Sequence, residues 1–374
     1  MLSACMRDGA PPRTEQRRLV PSLQIGSESD GAEYMFTAIR QVVASDSEVF
    51  VLPAETPEIR VFDMHGRHRR TVGRRGAGPG EFDAVTAIGL FGDTLWTLDS
   101  NLRRVTRFSS AGELLTISRL ASMSPEVGRR GTFYFFYPMA MLKDGSLLGF
   151  GGTTGRAIAA GEVVALPLLR IPRGIGAADT IGWVPIGNEH LILRSSKGTF
   201  YRAQPFADAP LTAYDPWKER VLVVERYAAD AAGDAAVRVT SLGMAGDTLW
   251  STALPYTPRR LDARVVDSIR AHLTRTLAPR FPTSEIDRRL FVPAYRTPVT
   301  EVLAGADGRV WIGWDSPEHA AAFTVLAADG RSSFEVEGPR GTHLVWADGR
   351  AAWGQMLDDN DVPSLVRFRI VTSR

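Results

Sequence analysis

Cysteine and lysine are nearly absent from this chain, and neither sign of charge prevails. One cysteine occurs in 374 residues, Cys5, so a zinc site built on thiolates is excluded. The six histidines, at positions 65, 68, 190, 272, 319 and 343, show neither an HExxH motif nor paired ligand spacing. No G-x-S-x-G elbow occurs, and with it goes that arrangement of a nucleophilic serine. The only lysines are Lys143, Lys197 and Lys218, an arginine bias that speaks more of base composition than of binding. The formal net charge is +2. Over this length it gives no global attraction to nucleic acid or anionic lipid, so any basic surface must be local. A run of eighteen apolar residues is also missing; the greasiest piece, FYFFYPMAML from Phe133 to Leu142, is too short to span a bilayer and carries a proline.

Core material is plentiful. A hydrophobic fraction of 44% in a chain this long can bury one large core or two ordinary ones. At the amino end, LSAC from Leu2 to Cys5 looks like a bacterial lipobox, and the polar, proline-bearing stretch MRDGAPPRTEQRR after it suits a tether. The expectation is an exported protein of the periplasm or outer-membrane surface, lipidated at Cys5, with residues 1–17 as the tether. The charged and apolar parts of a signal peptide would then lie upstream of a start placed too late.

The stretch GRRGAGPGEF, Gly73 to Phe82, invites a phosphate-loop reading. Phosphate loops hand the chain to a helix, whereas Phe82 onward reads FDAVTAIGLFGDTLWTLD, two short strand-like runs joined by the turn FGD. The glycine stretch therefore turns a corner. Gly76, Gly78 and Gly80 are expected to take positive φ, and Pro79 to stop strand pairing.

The segments on either side of that corner repeat one another. From Phe36 the chain runs TAIRQVVA, EVFVLPA, IRVFD and RHRRTVG around short turns; from Asp83 it runs AVTAIGL, TLWTLD, RVTRFS and ELLTIS. Similar four-strand units recur at 137–184, 211–254 and 299–336. A last copy from His343 supplies only three strands, while an orphan strand, RLVPSLQIG at Arg18 to Gly26, stands ahead of the first unit. Pairing the two closes a ring. Four strands per repeat of roughly 40 residues predict a β-propeller, in which each sheet buries both faces against its neighbours. The fold expected is all-β, a six-bladed β-propeller over residues 18–374, closed by the amino-terminal strand.

The run IRVFDMHGRHRRTVGRRGAGPGEF at 59–82, followed by LWTLDSNLRRVTRF at 95–108, resembles NHL-type six-bladed propellers of bacteria, which favour "FD..G", "G..G.GPGEF" and "D...RV..F". ADGRVWIGW at 306–314 fits the same pattern, and the likeness thins in the third and fourth units. The resemblance implies the fold. Its superfamily includes scaffolds, RNA binders, lyases and calcium-dependent lactonase-like hydrolases, so it leaves the function open.

In such a ring the inter-blade loops and the loops between second and third strands share one face, called the top here. Function usually sits on long, varied loops. Arg74, Arg75 and Glu81 from the glycine corner meet Asp99, Asn101, Arg103 and Arg104 there, and Asp358, Asp359 and Asp361 come from the sixth blade. All of these except Arg104 make up the candidate ligand-binding group, with Asp99 also read as a cap of its own loop, pairing with Arg103 or Arg104. Between blades 4 and 5, at about 259–292, an insertion is expected to be helical. Val265, Ile269, Leu273 and Leu277 form its stripe, Asp262 its N-cap and Pro279 its stop, with a second short helix at Ser284 to Leu290. It should pack on the top face as a lid, a docking helix or a plug.

No cofactor or metal is assigned. Calcium would need oxygen ligands from several blades, for which Glu81, Asp99, Asn188 and Glu301 could be offered. Arg67, Arg69, Arg70, Arg74 and Arg75 raise RNA binding, but the first three fall on an outer strand, and nucleic acid is not the expected partner. The reading is a non-catalytic binding or scaffold propeller of the cell envelope. Its top face and insertion would contact a protein or polysaccharide-like partner, and the only membrane contact would be through the lipid at Cys5. The alternative is a channel-mouth enzyme, a calcium-dependent lactonase-like hydrolase or a lyase.

Overall fold

The computed structural model describes residues 15–26, 31–120, 126–128, 131–133, 135–154, 157–158, 161–173, 178–195, 198–227, 235–316, 320–358 and 361–373. Cys5, most of the expected tether and Asp359 lie outside the described residues.

Strand β1 (Glu15–Ile25) comes first and is succeeded by repeated antiparallel meanders. Blade 1 is β2 (Ile39–Ala44), β3 (Glu48–Pro53), β4 (Ile59–Asp63) and β5 (His68–Val72). Blade 2 is β6 (Val85–Phe91), β7 (Thr94–Asp99), β8 (Arg104–Phe108) and β9 (Leu114–Arg119). A small hairpin, β10 (Glu126–Gly128) and β11 (Gly131–Phe133), precedes blade 3, which is β12 (Phe135–Met141), β13 (Leu147–Gly152), β14 (Ala165–Ile171) and β15 (Asp179–Pro185). A second hairpin, β16 (His190–Ser195) and β17 (Gly198–Ala203), precedes blade 4: β18 (Leu211–Asp215), β19 (Arg220–Glu225), β20 (Ala235–Gly243) and β21 (Thr248–Tyr256). Helices α1 (Ala263–Leu277) and α2 (Thr283–Arg289) then lead to blade 5: β22 (Val299–Ala304), β23 (Val310–Trp314), β24 (Ala320–Leu326) and β25 (Ser332–Pro339). Blade 6 supplies β26 (His343–Ala347), β27 (Ala351–Leu357) and β28 (Pro363–Thr372).

The protein is thus an all-β, six-bladed propeller with a helical insertion between blades 4 and 5. Each seam between blades holds its own apolar cluster. Ile59, Phe82 and Phe108 meet between blades 1 and 2, Leu222, Val310 and Ile312 between blades 4 and 5, and Trp311, Phe323 and Phe368 between blades 5 and 6. This is why a strand such as β3 is buried along nearly its whole length instead of alternating.

Closure takes the expected pairing. β1 is the fourth strand of blade 6, antiparallel to β28 from Arg17↔Thr372 to Ile25↔Leu365. Ile25 then joins Phe36, Phe62, Trp353 and Leu365 in the core between blades 6 and 1. The strand also begins at Glu15, inside the stretch expected as tether. Its first residues pair in parallel with β25, Glu15↔Phe334 to Arg18↔Glu337, and the Arg17 guanidinium lies 3.8 Å over the Phe334 ring. The outer edges of blades 5 and 6 are thereby welded into one eight-stranded sheet.

The helical insertion does not rest on the blades alone. Leu191 and Leu193 of the β16–β17 hairpin pack against Leu273, Leu277, Phe281, Ile286 and Leu290 of the helical segment, forming a core outside the ring. Asp262 caps α1 as expected, accepting the Arg264 N–H at 2.8 Å. The inward stripe begins at Val266, however, and Val265 is exposed. Strict four-residue spacing precesses around a helix of 3.6 residues per turn: Val265 sits about 120° from Leu277, whereas Val266 sits within about 20°. At the base of the insertion, Arg259 and Arg296 both pair with Asp315 at the end of blade 5's second strand.

Candidate functional site

The glycine corner is built by side chains that bind its backbone. Gly73, Gly76 and Gly80 have positive φ, while Gly78 does not. Contrary to the expectation, Gly78 keeps an ordinary φ and donates its N–H to the Glu81 carboxylate at 2.8 Å; a left-handed position falls instead on Gly73, where a Cβ would lie 2.0 Å from the Phe82 ring. The fully buried Asp99 accepts the N–H groups of Asp83, Ala84 and Leu102 at 2.8, 3.2 and 2.9 Å. Of the two arginines expected as its partner, Arg104 instead donates to the carbonyls of Ala77, Gly78 and Glu81. Asn101 donates to the Asp83 carboxylate at 2.9 Å. Arg74 pairs with Glu81 at 2.8 Å, and the Gly78 N–H together with Arg74 holds the Glu81 carboxyl below its ordinary value.

Of the expected ligand group, then, Glu81, Asp99 and Asn101 hold the loop together, and Arg75 and Arg103 are exposed on it. Arg103 takes φ 51° to turn the chain back into β8. The acidic residues of blade 6 lie in another loop: Asp358 accepts the Val362 N–H at 2.9 Å, and Asp361 sits at φ 62°. The four oxygen donors offered for calcium also have separate partners. Asn188 donates to Asp208, and Glu301 accepts the Leu344 N–H. Among the described residues there is no group of three or more His, Cys, Asp or Glu side chains able to hold a metal.

A better-formed concavity opens at the seam between blades 3 and 4. It measures about 580 Å³ and is walled by Tyr137 and Phe150 of blade 3, by Thr212 and Pro210 of blade 4, and by the β16–β17 hairpin. The hairpin alternates. Leu191 and Leu193 face the helices, whereas His190 and Ile192, with Tyr201 paired across from Ile192, face the cavity. Tyr137 and Tyr201 are 57% and 42% exposed, large rings presented at an open mouth. Thr153, Thr154, Glu189 and His190 supply polar atoms along the wall, and His190 Nδ1 lies 3.6 Å from the Glu189 carboxylate. The connections that form this wall are inter-blade connections, so the cavity belongs to the top face.

The hairpin and the cavity escaped the sequence reading. HLILRS and GTFYRA flanking a short turn carry a hairpin signal, masked by the expectation of one meander after another.

Fold and site together define a six-bladed β-propeller with an open cavity on its loop face. A family model described as DUF5128, a 6-bladed β-propeller, matches residues 32–145, from just before blade 1 into blade 3. No curated protein matches the chain. Among solved structures, a DUF4221-family member from Bacteroides vulgatus superposes with a TM-score of 0.52 at 11% identity, over 96% of this chain and 100% of that one. A Bacteroides fragilis protein gives 0.48 at 9% identity, over 96% and 99%. At 11% identity the likeness to the first carries the fold alone and leaves the ligand to the site.

Proposed function

We propose that this chain is a non-catalytic, glycan-binding propeller of the cell envelope, exported and held to a membrane by lipid on Cys5. The reading takes it as an NHL-type propeller on its "FD..G" and "GPGEF" motifs. The observation that carries the function is the pair of exposed tyrosines, Tyr137 and Tyr201, at the mouth of a cavity of about 580 Å³. That volume suits one or two sugar rings. A pyranose presents an apolar CH face and a fringe of hydroxyls. Tyrosine offers the matching combination, a flat apolar body with a polar tip, and Thr153, Thr154 and Glu189 add hydrogen-bonding atoms on the same wall.

The experiment is calorimetric titration of a panel of neutral oligosaccharides against the full chain and the Y137A and Y201A variants. At least one oligosaccharide should bind, and each variant should lose about tenfold in affinity or more, as aromatic anchors of binding sites commonly do. Binding that survives both substitutions would refute the assignment of the cavity.

A further inference from the structure

Blade 2 carries, on either side of its outer strand β9, a charge pattern that the tyrosine cavity does not use. Two adjoining concavities there, of about 580 and 340 Å³, share Arg119 and Leu120 as a common wall. The first is also lined by Arg103 and Arg104, the second by Arg107 and Arg173. Five guanidinium groups thus line two concavities on opposite faces of the blade 2 sheet, which meet at Arg119 and Leu120 on its outer strand, and none of the described lining residues is acidic. In a protein whose net charge is only +2, this is a concentrated local field.

Among the described residues, four of these arginines form no ion pair with a carboxylate. Arg104 is buried, yet its donors go to neutral carbonyls, and its Nε has no partner. Glu81, whose carboxylate feels the charge of Arg104, is already engaged by Arg74 and the Gly78 N–H. Among the described residues, Arg107 donates only to the Met141 sulfur, at 3.7 Å, a weak acceptor. Arg119 and Arg173 make no ion pair among the described residues and are exposed. Arg107 and Arg173 converge on the turn at Gly145, where an added Cβ would lie 3.2 Å from each.

We infer that the two concavities act together as a groove over the outer edge of blade 2 that binds an acidic polysaccharide, a chain whose repeating carboxylates or sulfates meet the arginine forks in turn. Guanidinium matches such planar anions in bidentate fashion. Between the charges the walls are aliphatic or proline, from Pro79, Leu102, Leu120 and Pro172, surfaces on which sugar CH faces can lie. The described lining holds no Phe, Tyr or Trp, so the stacking platforms that single-stranded nucleic acid requires are missing. Two concavities in series call for an extended occupant. This groove is separate from the tyrosine cavity, and the inference stands without it.

The test is binding of fluorescent polygalacturonate to the full chain, measured by anisotropy beside dextran, poly-L-glutamate and oligo(dT). Polygalacturonate should bind, dextran should not compete for it, and binding should weaken steeply between 50 mM and 500 mM salt. The R119Q/R173Q variant should lose roughly fivefold or more, exposed guanidinium contacts being modest individually. The charge-matched R238Q/R331Q control, whose arginines lie on exposed surface of blades 4 and 5, should lose less than twofold. Thermal melts would confirm that both variants fold. Absence of polygalacturonate binding, retention at 500 mM salt, or equal losses in the two variants would overturn the groove. Tighter binding of poly-L-glutamate or oligo(dT) would overturn the class of ligand.

Discussion

Replacing Glu301 by glutamine should stabilise this protein above neutral pH and leave it nearly unchanged in acid. Glu301 lies on β22 just after an irregularity in its pairing with β23, and Gln41 occupies the matching place on β2 after the irregularity between Ile39 and Gln41. Both side chains cross a seam to the innermost strand of the next blade. Gln41 donates to the Ile88 carbonyl and accepts the Ile88 N–H, each at 2.9 Å. Glu301 accepts the Leu344 N–H at 3.2 Å, and as a carboxylate it has no proton to donate. His343 approaches to 3.9 Å from the adjoining strand. Burial pushes the Glu301 carboxyl up to about 7, against 4.5 for the group in water. The folded state therefore holds a proton that the unfolded chain has released. Below pH 4.5 both states are protonated and the site costs nothing; between 4.5 and about 7 stability falls as pH rises; above that the full penalty applies. At about 1.4 kcal/mol per pH unit the penalty is roughly 3 kcal/mol. Urea unfolding followed by tryptophan fluorescence at pH 4.5, 6, 7 and 8.5 would measure the difference between E301Q and the parent. It should be near zero at pH 4.5 and grow to roughly 2–3 kcal/mol in favour of E301Q at pH 8.5. A difference that stays constant with pH would refute the claim that Glu301 is held protonated.

Other substitutions probe the remaining devices. D99A strands three backbone N–H groups in the glycine corner and should cost about 3 kcal/mol or more in thermal unfolding, whereas D99N should cost less; a loss below about 1 kcal/mol would show that the loop does not depend on Asp99. Arg220 and Asp215 form a buried pair at 2.9 Å, and Arg220 also ties blade 4 to the Gly308 and Ala328 carbonyls of blade 5. R220A should therefore cost about 3–5 kcal/mol, with the D215A/R220A double variant well short of the sum of the singles. G73A should destabilise by about 2 kcal/mol or more, since positive φ and the Phe82 ring both oppose a side chain there; a neutral result would show that the corner can relax. L193A should loosen α1 and α2 while sparing the ring, seen as faster amide exchange confined to the insertion.

How the fold was legible is clear from particular stretches. TAIRQVVA–SDS–EVFVLPA and AVTAIGL–FGD–TLWTLD display strand, turn and strand within a dozen or so residues. Turn chemistry and β-branched runs act over that same range, so six meanders could be counted and the unpaired strand at the amino end matched to the incomplete blade. The glycine corner was readable for the same reason, although the left-handed position moved from Gly78 to Gly73. The site was far less legible. Arg74, Glu81, Asp99 and Asn101 looked like a ligand group because they are polar and close in sequence, and that closeness is what lets three of them serve the loop.

By itself, the sequence determined the repeated unit, the number of blades and the ring's closure by β1, because each rests on hydrogen-bonding and apolar patterns internal to a segment. Only tertiary structure decided that β1 also welds blade 5 to blade 6, that the hairpin shelters the helices, that tyrosines from two elements share one cavity, and that burial makes the charge on Glu301 costly. Those outcomes depend on which side chains meet across seams. A blade's pattern says that its faces are buried, and only the packed ring says against what.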